Sequence, residues 1–151
     1  MEDGFTLSKD AVQAWCDRNE ITYHHNEELK QLGIPLPLGE GVMLRVLDRP
    51  DRNMLTLAVP LPTRVPPALI QEVSKATAMA NSGTFMGAWV LNHGKGELYF
   101  RISLPTGGVE YTDPGFKWVL DVTVQTMRSV IPAFVAILKG EGTAEHVLRG
   151  S

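Results

Sequence analysis

Phe85-Met86-Gly87-Ala88-Trp89-Val90-Leu91-Asn92-His93-Gly94-Lys95-Gly96-Glu97-Leu98-Tyr99-Phe100-Arg101-Ile102-Ser103-Leu104 decides the fold. Residues 97–104 alternate strictly: Leu98, Phe100, Ile102 and Leu104 are apolar, and Glu97, Tyr99, Arg101 and Ser103 lie between them. That period of two is a strand with one face in a core. Residues 85–91 form a second β-prone run, and the glycine-bearing stretch 92–96 joins the two as a hairpin turn. A two-residue or four-residue loop places odd positions of the first strand beside even positions of the second. Phe85, Trp89 and Leu91 then share the core face with Leu98, Phe100, Ile102 and Leu104. Met86, Ala88 and Val90 share the outer face with Tyr99 and Arg101. An odd loop or a bulge would reverse this parity.

Working upstream, Leu69, Val73, Ala76 and Ala80 supply the stripe of a helix over about 67–80, with Gly83 or Asn81 suited to a left-handed C-cap. Residues 42–47 and 54–59 read as two strands across the turn-rich stretch 48–53. In Ile34-Pro35-Leu36-Pro37-Leu38 proline alternates with apolar residues, which rules out a central strand and predicts an extended covering segment. That segment is the alternative cover for the outer hairpin face. Residues 20–25 are β-prone. A helix over about 9–19 follows from Ser8 as N-cap, a Leu7–Val12 staple, and the stripe Val12, Trp15 and Cys16.

Downstream, Asp113-Pro114 reads as an N-cap followed by proline in the first turn. The helix it opens runs to about Leu138, with Pro132 expected to kink or divide it. Phe116, Leu120, Met127, Phe134 and Leu138 lie along one line, flanked by Val119, Val124, Val130, Ile131 and Ile137. With Val122 and Ala133 the apolar arc reaches roughly half the circumference, wider than the ~100° one core needs. Trp118 falls on the polar side near Asp121, Gln125 and Ser129, so either a loop covers it or it meets a second copy or a partner. A short terminal helical turn is expected near 144–148.

The elements sum to one α+β domain over residues 1–151, an antiparallel sheet of about five strands with three main helices packed on it. A chain of 151 residues, 44% hydrophobic and 21% charged, suits one globular domain. The acidic start Met1-Glu2-Asp3-Gly4 lacks the features of a signal peptide, and no uninterrupted apolar run reaches ~18–20 residues, so a cytoplasmic protein with no membrane partner is expected. The net charge of −3 and the absence of a Lys/Arg cluster argue against direct nucleic-acid binding. Cys16 is the single cysteine, which excludes an intramolecular disulfide and a CxxC zinc site; its place on the helical stripe makes it a core residue.

No constellation of catalytic residues emerges. His24 and His25 point to opposite faces of a strand, and His93 and His146 have no partner at metal-ligand spacing. Gly94-Lys95-Gly96 continues into a strand and lacks the rest of a phosphate-loop pattern, so it is a hairpin turn; Thr106-Gly107-Gly108 is a connection. Glu27, Glu28, Asp48 and Asp51 are expected on solvated connections. No catalytic residue, metal site or cofactor is therefore expected.

From Asn81 to Leu138 the order is a helix end with Asn81, a glycine-bearing strand, Leu98-Tyr99-Phe100-Arg101-Ile102-Ser103-Leu104-Pro105, and a long helix with Pro132 before Phe134. This resembles the YbjN-type domain, a bacterial family structurally similar to the type III secretion chaperones. The resemblance covers about the last two-thirds of the chain; the N-terminal helix and Pro-rich middle fit the layout loosely. It implies a chaperone-like α+β fold, a homodimer, and a role in binding another protein as chaperone, adaptor or regulator. It carries no catalytic residues and implies no secretion function. The protein-binding residues expected from parity are Met86, Val90, Tyr99 and Arg101, with Trp118 as a dimer or partner contact. The other reading is a ligand-sensing regulatory domain that binds a small molecule.

Overall fold

The hairpin forms with the expected parity. In the computed structural model, which describes residues 4–148, strands Ala88–Asn92 and Glu97–Pro105 pair antiparallel with Trp89 opposite Phe100 and Val90 opposite Tyr99. The loop has four residues, 93–96. The Asn92 side chain accepts from the backbone N–H groups of Gly94 and Lys95, and Gly96 N–H donates to the Asn92 carbonyl at 2.7 Å. Residues 1–3 and 149–151, with the Gly150-Ser151 tail, lie outside the described residues.

The first strand of the hairpin starts later than its composition suggests. Gly87 adopts φ 78°, and a Cβ there would meet the Ile102 side chain at 2.6 Å and the Arg101 carbonyl at 2.7 Å. Only glycine fits so close a backbone approach. The bend removes residues 85–86 from the alternation. Phe85, expected in the core, is fully exposed, and Met86 packs against the helical side instead of facing outward.

In chain order the elements are β1 (Phe5–Thr6), α1 (Lys9–Arg18), β2 (His24–Asn26), β3 (Gln31–Pro35), β4 (Met43–Arg49), β5 (Met54–Pro60), α2 (Ile70–Ser82), β6 (Ala88–Asn92), β7 (Glu97–Pro105), β8 (Glu110–Tyr111), α3 (Asp113–Leu138) and α4 (Ala144–Leu148). Six strands make one antiparallel sheet in the order β2-β3-β4-β5-β7-β6, and β1 pairs with β8 apart from it. The fold is α+β, with the helices packed on one face of the sheet.

The strand added to the expected set is β3, which the prolines seemed to exclude. β3 pairs with β4 over Leu32–Pro35 but with β2 only over Gln31–Gly33. Pro35 thus lies beyond the end of β2, where its missing N–H interrupts no ladder. Leu32 and Ile34 enter the core, Leu36 follows them, and Arg128 of α3 donates to the Pro37 carbonyl at 3.1 Å. Segment 34–38 therefore serves the core and α3; it does not cover the outer hairpin face.

One core lies between sheet and helices. Leu44, Val46, Leu55, Leu57, Val59, Leu98, Phe100 and Ile102 face it from the strands. Trp89 packs on Phe100 and Phe134 with ring centroids 5.2 and 4.8 Å apart, and Trp15 meets Phe116 edge-on at 5.0 Å. α1 begins as expected: Ser8 Oγ accepts from Ala11 N–H at 3.0 Å, and Leu7 and Val12 are both buried. Asp48, expected on a solvated connection, sits in β4 and accepts from Lys9 N–H at 3.0 Å, a second partner for the helix start.

α3 is capped by Thr112, whose hydroxyl accepts from Gly115 N–H at 3.1 Å, and not by Asp113. Asp113 instead holds α1 to α3. Its carboxylate takes Arg18 at 2.8 Å and Asn19 at 3.3 Å, and its carbonyl accepts from Trp15 Nε1 at 3.1 Å. The Arg18 guanidinium, aided by Asn19, holds the Asp113 carboxyl below the usual range. α3 continues through Pro132 as one helix and is not divided. The ladder loses the bond to the carbonyl of Arg128, an exposed residue. α3 has the length and apolarity of a membrane-crossing helix, yet one side is buried in this core and another carries Lys117 and Asp121 as an ion pair. That is the pattern of a core helix.

Asn81 is helical, Gly83 has φ −105°, and neither makes the expected left-handed cap. The Asn81 side chain crosses to β6. Its Oδ1 accepts from Trp89 N–H at 2.7 Å and its Nδ2 donates to the Trp89 carbonyl at 3.0 Å. Because β6 is the last strand of the sheet, those two groups are the ones a further strand would claim.

Candidate functional site

The register lays out the sheet face away from the helices. One cross-strand row reads His24, Gly33, Arg45, Ala58, Arg101 and Ala88. In the next row Pro60 stands opposite Tyr99, and Tyr99 opposite Val90. On the other side Leu47 faces Thr56, Thr56 faces Ser103, and their hydroxyls lie 3.0 Å apart. Arg49 faces Met54. Small residues, Thr56 and Ala58, line β5, and longer ones rise from β4 and β7. The result is an open trough of about 740 Å³ along β5.

Of the residues expected to bind a partner, three are on this face: Val90 and Tyr99 half-buried and Arg101 exposed. Met86 is not among them, for the reason given by Gly87. Four cations appear here that no linear run announced. Arg49 of β4, Arg52 in the turn between β4 and β5, and Arg101 of β7 line the trough, and Arg45 of β4 lines the adjoining depression over β2 and β3. None of the four forms an ion pair or a side-chain hydrogen bond among the described residues. Of the acids nearby, Glu97 lines the trough and lies 3.6 Å from Arg64, Asp51 stands in the turn that carries Arg52, and Glu27 and Glu28 share the neighbouring depression with Arg45. Only pairing could have revealed the cluster, since Arg101 is far from the others in sequence.

Trp118 is 58% exposed, so no loop among the described residues covers it. One turn further along α3, Val122 lines a depression with Met79, Phe85, Met86 and Thr126. Among the described residues no charged side chain lines it. Exposed Trp118 and Phe85 mark an apolar surface on the helical side, separate from the arginine trough.

Titratable groups do not converge anywhere among the described residues. Cys16 is fully buried, and burial, with Asp17 adding to it, pushes its thiol up to about 11. It is a core residue with negligible thiolate. His24 and His25 are exposed, His93 lies 3.3 Å from the Ser74 hydroxyl, and the side chain of His146 is outside the described set. No group of three or more His, Cys, Asp or Glu residues could hold a metal among the described residues. Gly94-Lys95-Gly96 is a hairpin turn.

One antiparallel sheet with its helices on a single face defines a fold class, that of α+β domains with a one-sided sheet. Within it, the chain is similar to YbjN from E. coli, described as a candidate transcription regulator, with a TM-score of 0.66 and 15% identity over 91% of this chain and 94% of that one. It is also similar to a chain of the HopA1–SchA chaperone–effector complex, with a TM-score of 0.55 and 14% identity over 81% and 91% of the two chains. A third similar structure is an uncharacterized protein from Methanothermobacter thermautotrophicus, with a TM-score of 0.56 and 13% identity over 90% and 100%. At these identities the likeness is one of fold. No family model and no curated protein matches the sequence.

Proposed function

We propose that the chain is a non-catalytic protein-binding domain, a chaperone-like, adaptor or regulatory protein that works as a homodimer. The observation that carries this reading is the outer face of the sheet, where Val90, Tyr99 and Arg101 stand together with no helix or loop of the described residues over them. Tyrosine and arginine are enriched among interface hot spots, and losing one typically costs ~2 kcal/mol or more. The similarity to a chaperone–effector complex supports a protein partner, and the fold neighbours described as chaperone or regulator support a role without chemistry. A small-molecule sensor would want an enclosed, mostly apolar pocket, and the depressions described above are broad and open.

Tyr99→Ala with Arg101→Ala tests the reading. The double variant is expected to keep its circular dichroism spectrum and to capture markedly less partner from native extract than the wild type does. Equal capture by the two proteins would put the binding site elsewhere.

A further inference from the structure

We propose that the trough along β5 binds an extended acidic segment of a partner protein, with carboxylates seated on Arg49, Arg52 and Arg101. This rests on the outer face being the protein-binding face and adds the chemistry of what binds there.

Charge is the first reason. The chain has 17 acidic and 14 basic side chains, yet four arginines gather on one face without ion-pair partners among the described residues. Arg49 and Arg101 stand on the two walls of the trough, on β4 and β7, with Arg52 in the turn at one end. Like charges on facing walls repel, and an anion between them removes the repulsion. All three cations of the trough are arginines, whose planar fork pairs with carboxylates through two parallel hydrogen bonds.

Shape is the second reason. The floor, Met54–Pro60, has seven residues and a length of about 23 Å at ~3.3 Å per residue. A single extended segment fits between the walls on β4 and β7. Such a segment turns every second side chain toward the floor, ~6.7 Å apart. Leu47 and Met54 line the trough near Arg49, and Tyr99 lines its far end beyond Arg101, which suits apolar side chains interspersed with the acids. A single-stranded nucleic acid would instead favour a continuous cationic track with several stacking rings. Tyr99 is the one aromatic ring in this trough.

The test is fluorescence anisotropy with a labelled decapeptide alternating Glu and Leu, its Gln-for-Glu analogue, and a labelled oligothymidylate of equal length. The Glu peptide is expected to bind the wild type at least about tenfold more tightly than the Gln peptide. Its affinity should fall as salt rises from about 50 to about 300 mM. Arg49→Ala with Arg101→Ala should weaken it by about tenfold or more, and Arg49→Lys with Arg101→Lys by less. Equal binding of the Glu and Gln peptides, or binding of neither, overturns the proposal; that comparison uses wild-type protein and is independent of how the variants fold. Tighter binding of the oligothymidylate, lost in the same arginine variant, overturns it in favour of nucleic acid. If the Glu peptide fails while Tyr99→Ala with Arg101→Ala still abolishes partner capture, the protein-binding reading stands and the acidic chemistry alone falls.

Discussion

Asn81 behaves as a piece of strand carried on a helix. Its amide offers one acceptor and one donor to Trp89, the pair a neighbouring backbone would offer. Asn81→Ala leaves both Trp89 groups without that partner, a loss of about 1–3 kcal/mol. Urea unfolding should show a lower midpoint with an unchanged slope. Asn81→Asp should fall between the two, because a carboxylate accepts from Trp89 N–H and cannot donate to its carbonyl. The sequence around Asn81 advertises a helix end, and the true role depends on a strand eight positions away. At Cys16 the local stripe sufficed, because burial follows from position on one helix. Trp89 itself packs on Phe100 and Phe134, and its buried indole N–H has no hydrogen-bond partner among the described residues.

Among the elements, those with an uninterrupted period were legible and those set by a neighbour were not. β7 alternates over its whole length, so its register and faces followed directly. β6 failed at one end, because Gly87 bends the chain where the composition still reads as strand. β3 was hidden by Pro35, whose harmlessness depends on β2 being short. The α1–α3 junction was likewise unreadable, since Asp113 resembles a cap when only its neighbours are considered. Its depressed carboxyl gives a signed prediction. A group whose pKa is lower in the folded state stabilises the fold above the ordinary carboxylate range and loses that effect as pH falls through its folded value. Asp113→Asn should therefore melt below the wild type near neutral pH, and the gap should close as pH drops below about 4. A gap that stays constant in thermal melts down to that pH would assign the difference to the hydrogen bonds alone.

Across the whole molecule, the fold separates two unlike surfaces. The sheet face carries the arginine trough, and the helical side exposes Trp118 and Phe85 around an apolar depression. The proposed homodimer is best served by the second, where exposed aromatic side chains can be buried against their own copies. Light scattering at micromolar concentration is expected to give twice the 16.6 kDa of one chain. Trp118→Ala should shift the mass toward the single chain, because a central tryptophan is a typical hot spot. The single-chain mass for the wild type would refute the dimer and leave the sheet face untouched. The fold class was readable in advance and the α3 arc was visibly too wide for one core. The arginine face was not readable, because it exists only once β4, β5 and β7 are side by side.

The seam between β5 and β7 divides the sheet into two halves of different age. Every other pairing in the six-stranded sheet joins strands that follow one another along the chain. Across this seam Pro60 pairs with Tyr99 and Met54 with Pro105, separations of 99 − 60 = 39 and 105 − 54 = 51 residues. At ~5–20 residues per second a ribosome takes roughly 2–8 s to make the ~40 residues that separate them. Through that interval the first half-sheet has its apolar strand β5 complete and the hydrogen-bonding edge of that strand vacant. Asn81, which guards the finished sheet, guards only the strand made afterwards. The hazard this layout creates thus belongs to synthesis, when two nascent chains close together on one messenger can each supply the edge that the other is still waiting for.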